Sequence, residues 1–317
     1  MRFYWQHYRE KLLKQCRHHR YSFSPLQQYR FEDETLSVIS SEDSLVLKVI
    51  SQQLTSVLKK TKAVSPRCYH VKGHGGLKKA VSHTKEAIKE YGFVFKSDIK
   101  GYYASIQHDP LCDSIQRITG DKAFTQMIRR SLEAPITWGG LYYPREKGIP
   151  RGSPLSPVLG AIALESLDNA MAQFKDVYYA RYMDDWVVLC KTRNRLRQVI
   201  KATHKILNTL QLTCHPDKTM MGRTDKGFDF LGYHIKPETL TVSHITLERA
   251  QAKLQQLYEQ KVSQSRLAQY WRRFLQWCRA GLQDVCLQQC PPPDAAVAVL
   301  MSNSRAAEAH PGQNKIP

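Results

Sequence analysis

The stretch "ARYMDDWVVL", Ala180–Leu189, sets two acidic residues side by side inside an otherwise apolar run. An unpartnered charge costs several kcal/mol to bury, and adjacent carboxylates also repel each other. The flanks show how the pair is tolerated. "DVYYARY" and "WVVLCK" are rich in β-branched and aromatic residues and read as the two strands of a hairpin, which leaves "MDD" at the turn. Side chains alternate across a strand, but at a tight turn Asp184 and Asp185 can both approach one solvent-open site. A divalent cation there would relieve the repulsion and supply the counter-charge. On its own "MDD" also fits an ordinary acidic turn.

A second strand-like run, "GFVFKSDIKGYYASI", places Asp98 near its end, 86 residues before Asp184. If the two strands are neighbours, three carboxylates gather at strand ends. Such an oxygen-only donor set suits Mg²⁺, which keeps waters and substrate phosphates in its shell. Two such ions about 3.5–4 Å apart clamp the attacking and leaving oxygens of an in-line phosphoryl displacement.

The composition narrows the partner. Lys and Arg total 47 against 28 Asp and Glu, a net charge of +19 on 317 residues with a pI near 9.6. Such a field attracts polyanions. No 18-residue apolar run and no purely basic amphipathic helix is present, which favours nucleic acid over a membrane. The start is basic and aromatic without a secretory apolar core, so a cytoplasmic location is expected. The chain length suits one large domain or two to three joined subdomains. The eight cysteines are scattered, and Cys286 and Cys290 lack a second pair for a zinc site, so reduced thiols are expected.

Helical signals organise the rest. "SSEDSLVLKVISQQLTSVLKK" carries capping groups and an expected apolar face of Leu45, Val49, Leu54 and Leu58. A Gly-rich turn leads to a helix near Leu77. In "HDPLCDSIQRIT", Asp109 is the expected N-cap, Pro110 the first helical residue, and Leu111, Ile115 and Ile118 a stripe. "KGIPRGSPLSPVLGAIALESLDNAMAQF" reads as a loop feeding one helix, with Ser153 and Pro154 as cap and first position. Apolar positions 155, 158, 159, 162, 167, 171 and 174 keep its period. A helix over about 193–210, a turn at "CHPDK", a strand pair at "FDFLGYHI" and a helical run 245–282 follow.

With these motifs in order, the chain resembles bacterial reverse transcriptases of the group II intron-like or retron-like kind. "FKSDIKGYYASI" resembles the first catalytic motif, "KGIPRGSPLSPVLGAIAL" the glycine loop and its helix, and "RYMDDW" the catalytic hairpin. "LTCHPDKT" resembles the next motif, "FDFLGYHI" the primer grip, and "CYHVKGHGGLKKAV" a fingers segment. The resemblance spans about residues 40–240.

It implies an α+β right-hand polymerase fold. An N-terminal extension and fingers would occupy 1–90, and the palm with part of the fingers 91–240, its antiparallel sheet packed on helices. A short helical thumb would take 241–290 and a disordered tail 291–317. The implied reaction is RNA-directed DNA polymerisation, adding dNTPs to a primer 3′-hydroxyl on an RNA template. Two Mg²⁺ ions, replaceable by Mn²⁺, would be held by Asp98, Asp184, Asp185 and the backbone of Ile99. Lys218 would assist the departing pyrophosphate. Tyr103 matches the bulky gate that excludes a ribose 2′-hydroxyl, with Gly101 and Tyr102 following the motif's backbone contacts to the triphosphate. Gly152 would allow close approach of the loop, beside Arg151, which stands where the family usually has Gln. Phe230, Leu231 and Gly232 would hold the primer end, and Arg272, Arg273 and Arg279 would face a phosphate backbone. Ser44 occupies a place where the family usually shows a basic triphosphate ligand; Arg30, Lys48 and Lys72 are the alternatives.

The implied partners are an RNA template, a DNA or RNA primer and dNTPs, with a dedicated non-coding or intron RNA as a further one. A maturase-like RNA-folding protein and a DNA-templated or defence-associated polymerase remain the rival readings. Mobile-element and antiviral-defence roles both lie within the resemblance.

Overall fold

The computed structural model describes residues 5–18, 20–31, 34–282 and 284–298. Internal packing divides the chain into two units, one within 1–76 and 93–221, the other within 77–92 and 222–317. The first unit opens with α1 (Trp5–Arg17), β1 (Leu26–Phe31), β2 (Glu34–Val38) and α2 (Ser41–Thr61). Then α3 (Gly76–Ala87) carries the chain into the second unit. On its return come β3 (Phe93–Ser97), α4 (Tyr102–Ser105), α5 (His108–Thr119), α6 (Lys122–Glu133), β4 (Ile136–Trp138) and β5 (Leu141–Tyr143). They are followed by α7 (Ser156–Ala163), α8 (Glu165–Gln173), β6 (Val177–Tyr182), β7 (Asp185–Cys190), α9 (Arg193–Thr209) and β8 (Met220–Arg223), along which the chain passes into the second unit.

The sheet that positions the carboxylates has the order β6-β7-β3-β8. β7 runs antiparallel to both neighbours, pairing Tyr182 with Asp185 on one side and Ser97 with Trp186 on the other. Every residue from Trp186 to Cys190 is buried. Both faces of β7 are therefore covered, which is why its sequence shows no polar alternation. Helix α9 packs on β3 and β7, and α8 on β6. A second sheet of the same unit, β2-β1-β4-β5, lies outside this core.

Several local readings are corrected. Ser40 caps α2, accepting from the Asp43 amide as expected, but the buried face is Val46, Leu47, Ile50, Leu54 and Leu58, while Leu45 and Val49 are exposed. Asp43 itself is buried, accepting from the Tyr21 hydroxyl at 2.7 Å and the Ser24 amide at 3.1 Å, and this turns the helix away from the expected face. Helix α5 starts at His108, not after Asp109, because buried His108 is tied to the Gly148 carbonyl at 2.8 Å. Asp109 pairs instead with Arg129 at 2.6 Å.

The loop "PRGSPLSP" also runs on further than expected. Ser153 and Pro154 precede α7, whose first turn carries Pro157, and the Ser156 hydroxyl donates to the Pro150 carbonyl at 2.6 Å. The single helix expected after it is two, broken at Leu164. A buried guanidinium, Arg181, donates to the Ala161 carbonyl at 3.1 Å, the acceptor that residue 165 would use in a continuous helix.

In the second unit, β9 (Phe228–Phe230), β10 (Tyr233–Ile235), β11 (Leu240–Val242), α10 (His244–Glu259), α11 (Gln264–Arg279) and β12 (Val285–Cys286) follow. Its sheet has the order β12-β11-β10-β9. The expected helical run 245–282 breaks at 260–263, where Lys261 takes a φ of 58°. Lys78 of α3 sits over the rings of Trp277 and Tyr233, 4.1 and 4.7 Å from their centroids, and burial pulls its pKa down to about 8. Part of the expected disordered tail is ordered. Residues 293–298 are helical with Ala296 and Val297 buried, and the Trp271 indole donates to the Pro291 carbonyl at 2.8 Å. Residues 299–317 lie outside the described residues. Among the described residues no helix is long and apolar enough to cross a membrane.

Candidate active site

Three chain segments converge at one end of the first unit's central sheet. Asp98 follows the last residue of β3, and its backbone is pinned because the His215 amide donates to its carbonyl at 2.7 Å. The neighbouring Lys100 amide donates to the Thr213 carbonyl at 2.9 Å. This zipper, reinforced by Ser97 and Thr219 hydroxyls 2.7 Å apart, delivers the short helical turn 216–218 to the site. Lys218 Nζ then reaches Asp98 Oδ2 at 2.9 Å. Ile99 is buried in the core at 1 % exposure, so its side chain cannot serve as a ligand.

The hairpin places the other two carboxylates differently from each other. Met183 and Asp184 form the two-residue turn, while Asp185 is the first residue of β7 and not part of the turn. Burial pushes the Asp184 carboxyl above its ordinary pKa, with the Asp98 charge adding to the effect. Asp185 is pushed up to about 7, again chiefly by burial; Lys96 opposes this and the other two aspartates reinforce it. Its Oδ1 is buried with no hydrogen-bond partner. A buried carboxylate oxygen left without a donor is a poor arrangement for the protein alone and a good one for a cation. Among the described residues no group of three or more acidic, imidazole or thiol side chains is gathered closely enough to hold a metal ion by itself. An open, oxygen-only set matches an ion that retains waters and substrate phosphates.

Tyr103 lies beside this pair. Its hydroxyl donates to Met183 Sδ at 3.6 Å, and burial with the Asp184 charge pushes its pKa up to about 12. Tyr102 is a core residue instead, its hydroxyl donating to the Gly160 carbonyl at 2.5 Å. Gly160 went unread in the sequence: a Cβ there would stand 3.3 Å from ring carbons of both tyrosines. Gly101 leads α4 with a φ of 59°, and Gly152 turns its loop at a φ of 84°, a region that side chains rarely occupy. Arg151 is exposed and close enough to Asp184 to favour its ionised form.

Of the three basic candidates, Lys48 and Lys72 come together. With Lys59, Ser51 and Thr55 they line a groove of about 480 Å³ that also meets Pro154 and Pro157. The Arg30 side chain lies outside the described residues.

The remaining candidates belong to the second unit. Leu231 and Gly232 form the β9–β10 turn with φ of 50° and 87°, the pair of positive values of a type I′ hairpin turn. Phe230 is wholly buried in that unit's core. On α11, Leu267, Trp271 and Cys278 face inward while Arg272, Arg273 and Arg279 are exposed.

Residues 8–235 match the family model described as reverse transcriptase (RNA-dependent DNA polymerase), and the chain belongs to this family. It is similar to protein YkfC of Escherichia coli, 24% identical over 177 residues, covering 45% of this chain and 46% of that protein. It is also similar to the group II intron-encoded protein LtrA of Lactococcus lactis, 32% identical over 107 residues, covering 32% and 18% respectively. The putative COX1/OXI3 intron 1 protein of Saccharomyces cerevisiae is 21% identical over 255 residues, covering 63% of this chain and 30% of that protein. The chain thus spans less than half the length of these curated relatives.

Among solved structures, it is similar to telomerase from Candida albicans in complex with a TWJ fragment of telomeric RNA. The TM-score is 0.58 at 14% identity, over 89% of this chain and 59% of that one. Apo telomerase from Candida tropicalis gives 0.57 at 14% identity, over 90% and 59%. These likenesses establish the α+β right-hand polymerase fold.

Proposed function

We propose that this chain is an RNA-directed DNA polymerase that extends a primer 3′-hydroxyl with dNTPs on an RNA template. One observation carries the reading: Asp98, Asp184 and Asp185 meet at one sheet end, with the buried Oδ1 of Asp185 unpartnered. Asp98, Asp184, Asp185 and the Ile99 carbonyl would hold two Mg²⁺ ions, for which Mn²⁺ can substitute. When bound, such ions neutralise the phosphates and stabilise the charge developing in phosphoryl transfer.

The chain's own residues supply the rest. Lys218, already 2.9 Å from Asp98, holds a proton within reach of the departing pyrophosphate. Tyr103 stands where the 2′ position of an incoming sugar is tested. Gly101 and Tyr102 offer backbone groups to the triphosphate. Gly152 lets its loop approach template and nucleotide, and Arg151 contacts that template. Leu231 and Gly232 form the primer-holding turn, which buried Phe230 anchors to the sheet, and exposed Arg272, Arg273 and Arg279 track a duplex backbone by charge. In this assignment the fingers lie within 1–90, the palm within 91–240 and the thumb within 241–290.

The test is primer extension with dNTPs on an RNA template, with Mg²⁺ or Mn²⁺ and with neither. Incorporation that requires the metal and vanishes in Asp184→Ala supports the reading; binding of primer–template without incorporation by the unmodified chain refutes it. The intron-encoded relatives favour a second reading, an RNA-folding maturase role. It would appear as intron splicing assistance that survives Asp184→Ala. Running the same assay on a DNA template separates the DNA-templated alternative.

A further inference from the structure

Met183 is the residue on which the catalytic turn depends, and its backbone is in an unfavourable place. It takes a φ of 57°, the left-handed region that a long side chain rarely adopts. Such a conformation persists only where its surroundings hold it. Here all three of its polar groups are engaged. The Met183 amide donates to His70 Nδ1 at 2.8 Å, its carbonyl accepts from Arg181 Nη1 at 2.9 Å, and its sulfur accepts from Tyr103. Arg181 is itself locked, fully buried against Asp168 at 2.5 Å.

The His70 ring does more than receive one amide. Its Nε2 lies 3.1 Å from the Pro157 carbonyl, which can only accept, so Nε2 carries the proton and Nδ1 is the bare acceptor that the Met183 amide requires. Cys68 Sγ, 3.4 Å from Nδ1, is a further donor to the same nitrogen. The ring packs edge-on against Tyr182, 5.9 Å between centroids. One imidazole thus bridges the first turn of α7, which carries the glycine-loop motif, and the turn that carries Asp184.

We propose that His70 is a positioning residue: by holding the Met183 amide it fixes the direction in which Asp184 presents its carboxylate, while the Nε2 bond to Pro157 sets the tautomer that leaves Nδ1 as the acceptor. This rests on the polymerase reading of Asp184, and the experiment separates the two. His70→Asn keeps an acceptor near Nδ1 and loses the donor to Pro157. His70→Gln keeps a donor near Nε2 and loses the acceptor for Met183. His70→Ala loses both.

Expected for His70→Gln and His70→Ala is a kcat lowered about 10- to 100-fold, with KM for dNTP and primer–template affinity held, since a misplacement of about 1 Å costs on that order. His70→Asn should retain most of the rate. Hydrogen exchange of the peptide spanning Tyr182–Asp185 reads the same bond without activity: faster in His70→Gln and His70→Ala, and protected in His70→Asn. Wild-type protein that fails to polymerise would sink the functional reading while the exchange data still score His70. The proposal is overturned if His70→Gln matches the wild type in rate and exchange. It is equally overturned if His70→Asn loses as much as His70→Gln, or if rate and melting temperature fall together across all three.

Discussion

The Arg181–Asp168 pair gives the sharpest stability prediction. Both side chains are wholly buried. The guanidinium donates to Asp168 Oδ1 at 2.8 Å and Oδ2 at 2.5 Å, to the Ala161 carbonyl at 3.1 Å and to the Met183 carbonyl at 2.9 Å, and Tyr179 adds its hydroxyl to Asp168 at 2.7 Å. Removing one ion from such a pair strands the other in the core, at a cost of about 3–5 kcal/mol. Replacing both by apolar residues of similar volume is often close to neutral. Arg181→Met should therefore lose about 3–5 kcal/mol in urea unfolding followed by tryptophan fluorescence, and Asp168→Leu with Arg181→Met should recover about 2–3 kcal/mol of it as coupling. The recovered double variant should still polymerise slowly, because the Met183 carbonyl has lost its donor. A loss below about 1 kcal/mol for Arg181→Met, or a double variant no more stable than the single one, would refute the reasoning.

Three further outcomes follow from the same geometry. With Tyr103 in its proposed role as sugar gate, Tyr103→Ala should raise ribonucleotide incorporation about 10- to 100-fold relative to deoxynucleotides in competition assays. Gly160→Ala places a methyl 3.3 Å from both tyrosine rings; Tyr102 is held by its own hydrogen bond, so Tyr103 must move, and kcat/KM for dNTP should fall about 10-fold. The pKa of His70 is lowered to about 4 by burial, with Arg181 adding to the effect. In the unfolded chain the ring gains its proton near pH 6.5 while the folded ring resists until about pH 4, so this contribution is complete above 6.5 and is lost as pH falls through that window. His70→Asn does not titrate, and its stability should fall less between pH 6.5 and 4, by on the order of 2 kcal/mol in pH-dependent unfolding.

Much of the central sheet was legible in the sequence because its signals are local. The all-apolar run 186–190 marks a strand covered on both faces, and Asp98 ends a strand as its flanks indicate. The helical faces were less legible, because a single buried polar anchor turns them: Asp43 takes hydrogen bonds from residues 21 and 24, and no periodicity reports that. The break at Leu164 and the clamp on Met183 depend on Arg181, whose partners lie 13 and 20 residues away. One signal was available. An arginine inside "YYARY", between residues that must be buried, requires a buried acid to accompany it. His70 left none, since its two acceptor and donor partners lie 87 and 113 residues further on. The nearness of Lys48 to Lys72 was equally beyond pattern reading, because it is made by the packing of α2 beside the glycine loop.

The second unit is not continuous in the chain, and synthesis makes that a matter of timing. The segment 77–92 emerges first, yet groups that engage it lie from residue 222 onward: Thr224 for the Tyr91 and Gly92 carbonyls, Tyr233 and Trp277 for Lys78, and the Lys236 and Pro237 carbonyls for Lys85. About 130 residues separate the two, which a ribosome adding roughly 5–20 residues per second delivers in about 7–26 s. During that interval Lys78 and Lys85 of α3 wait for those partners. The first unit's chain is therefore complete before the last part of the second unit exists. A chain stalled before residue 222 would present that helix to chaperones.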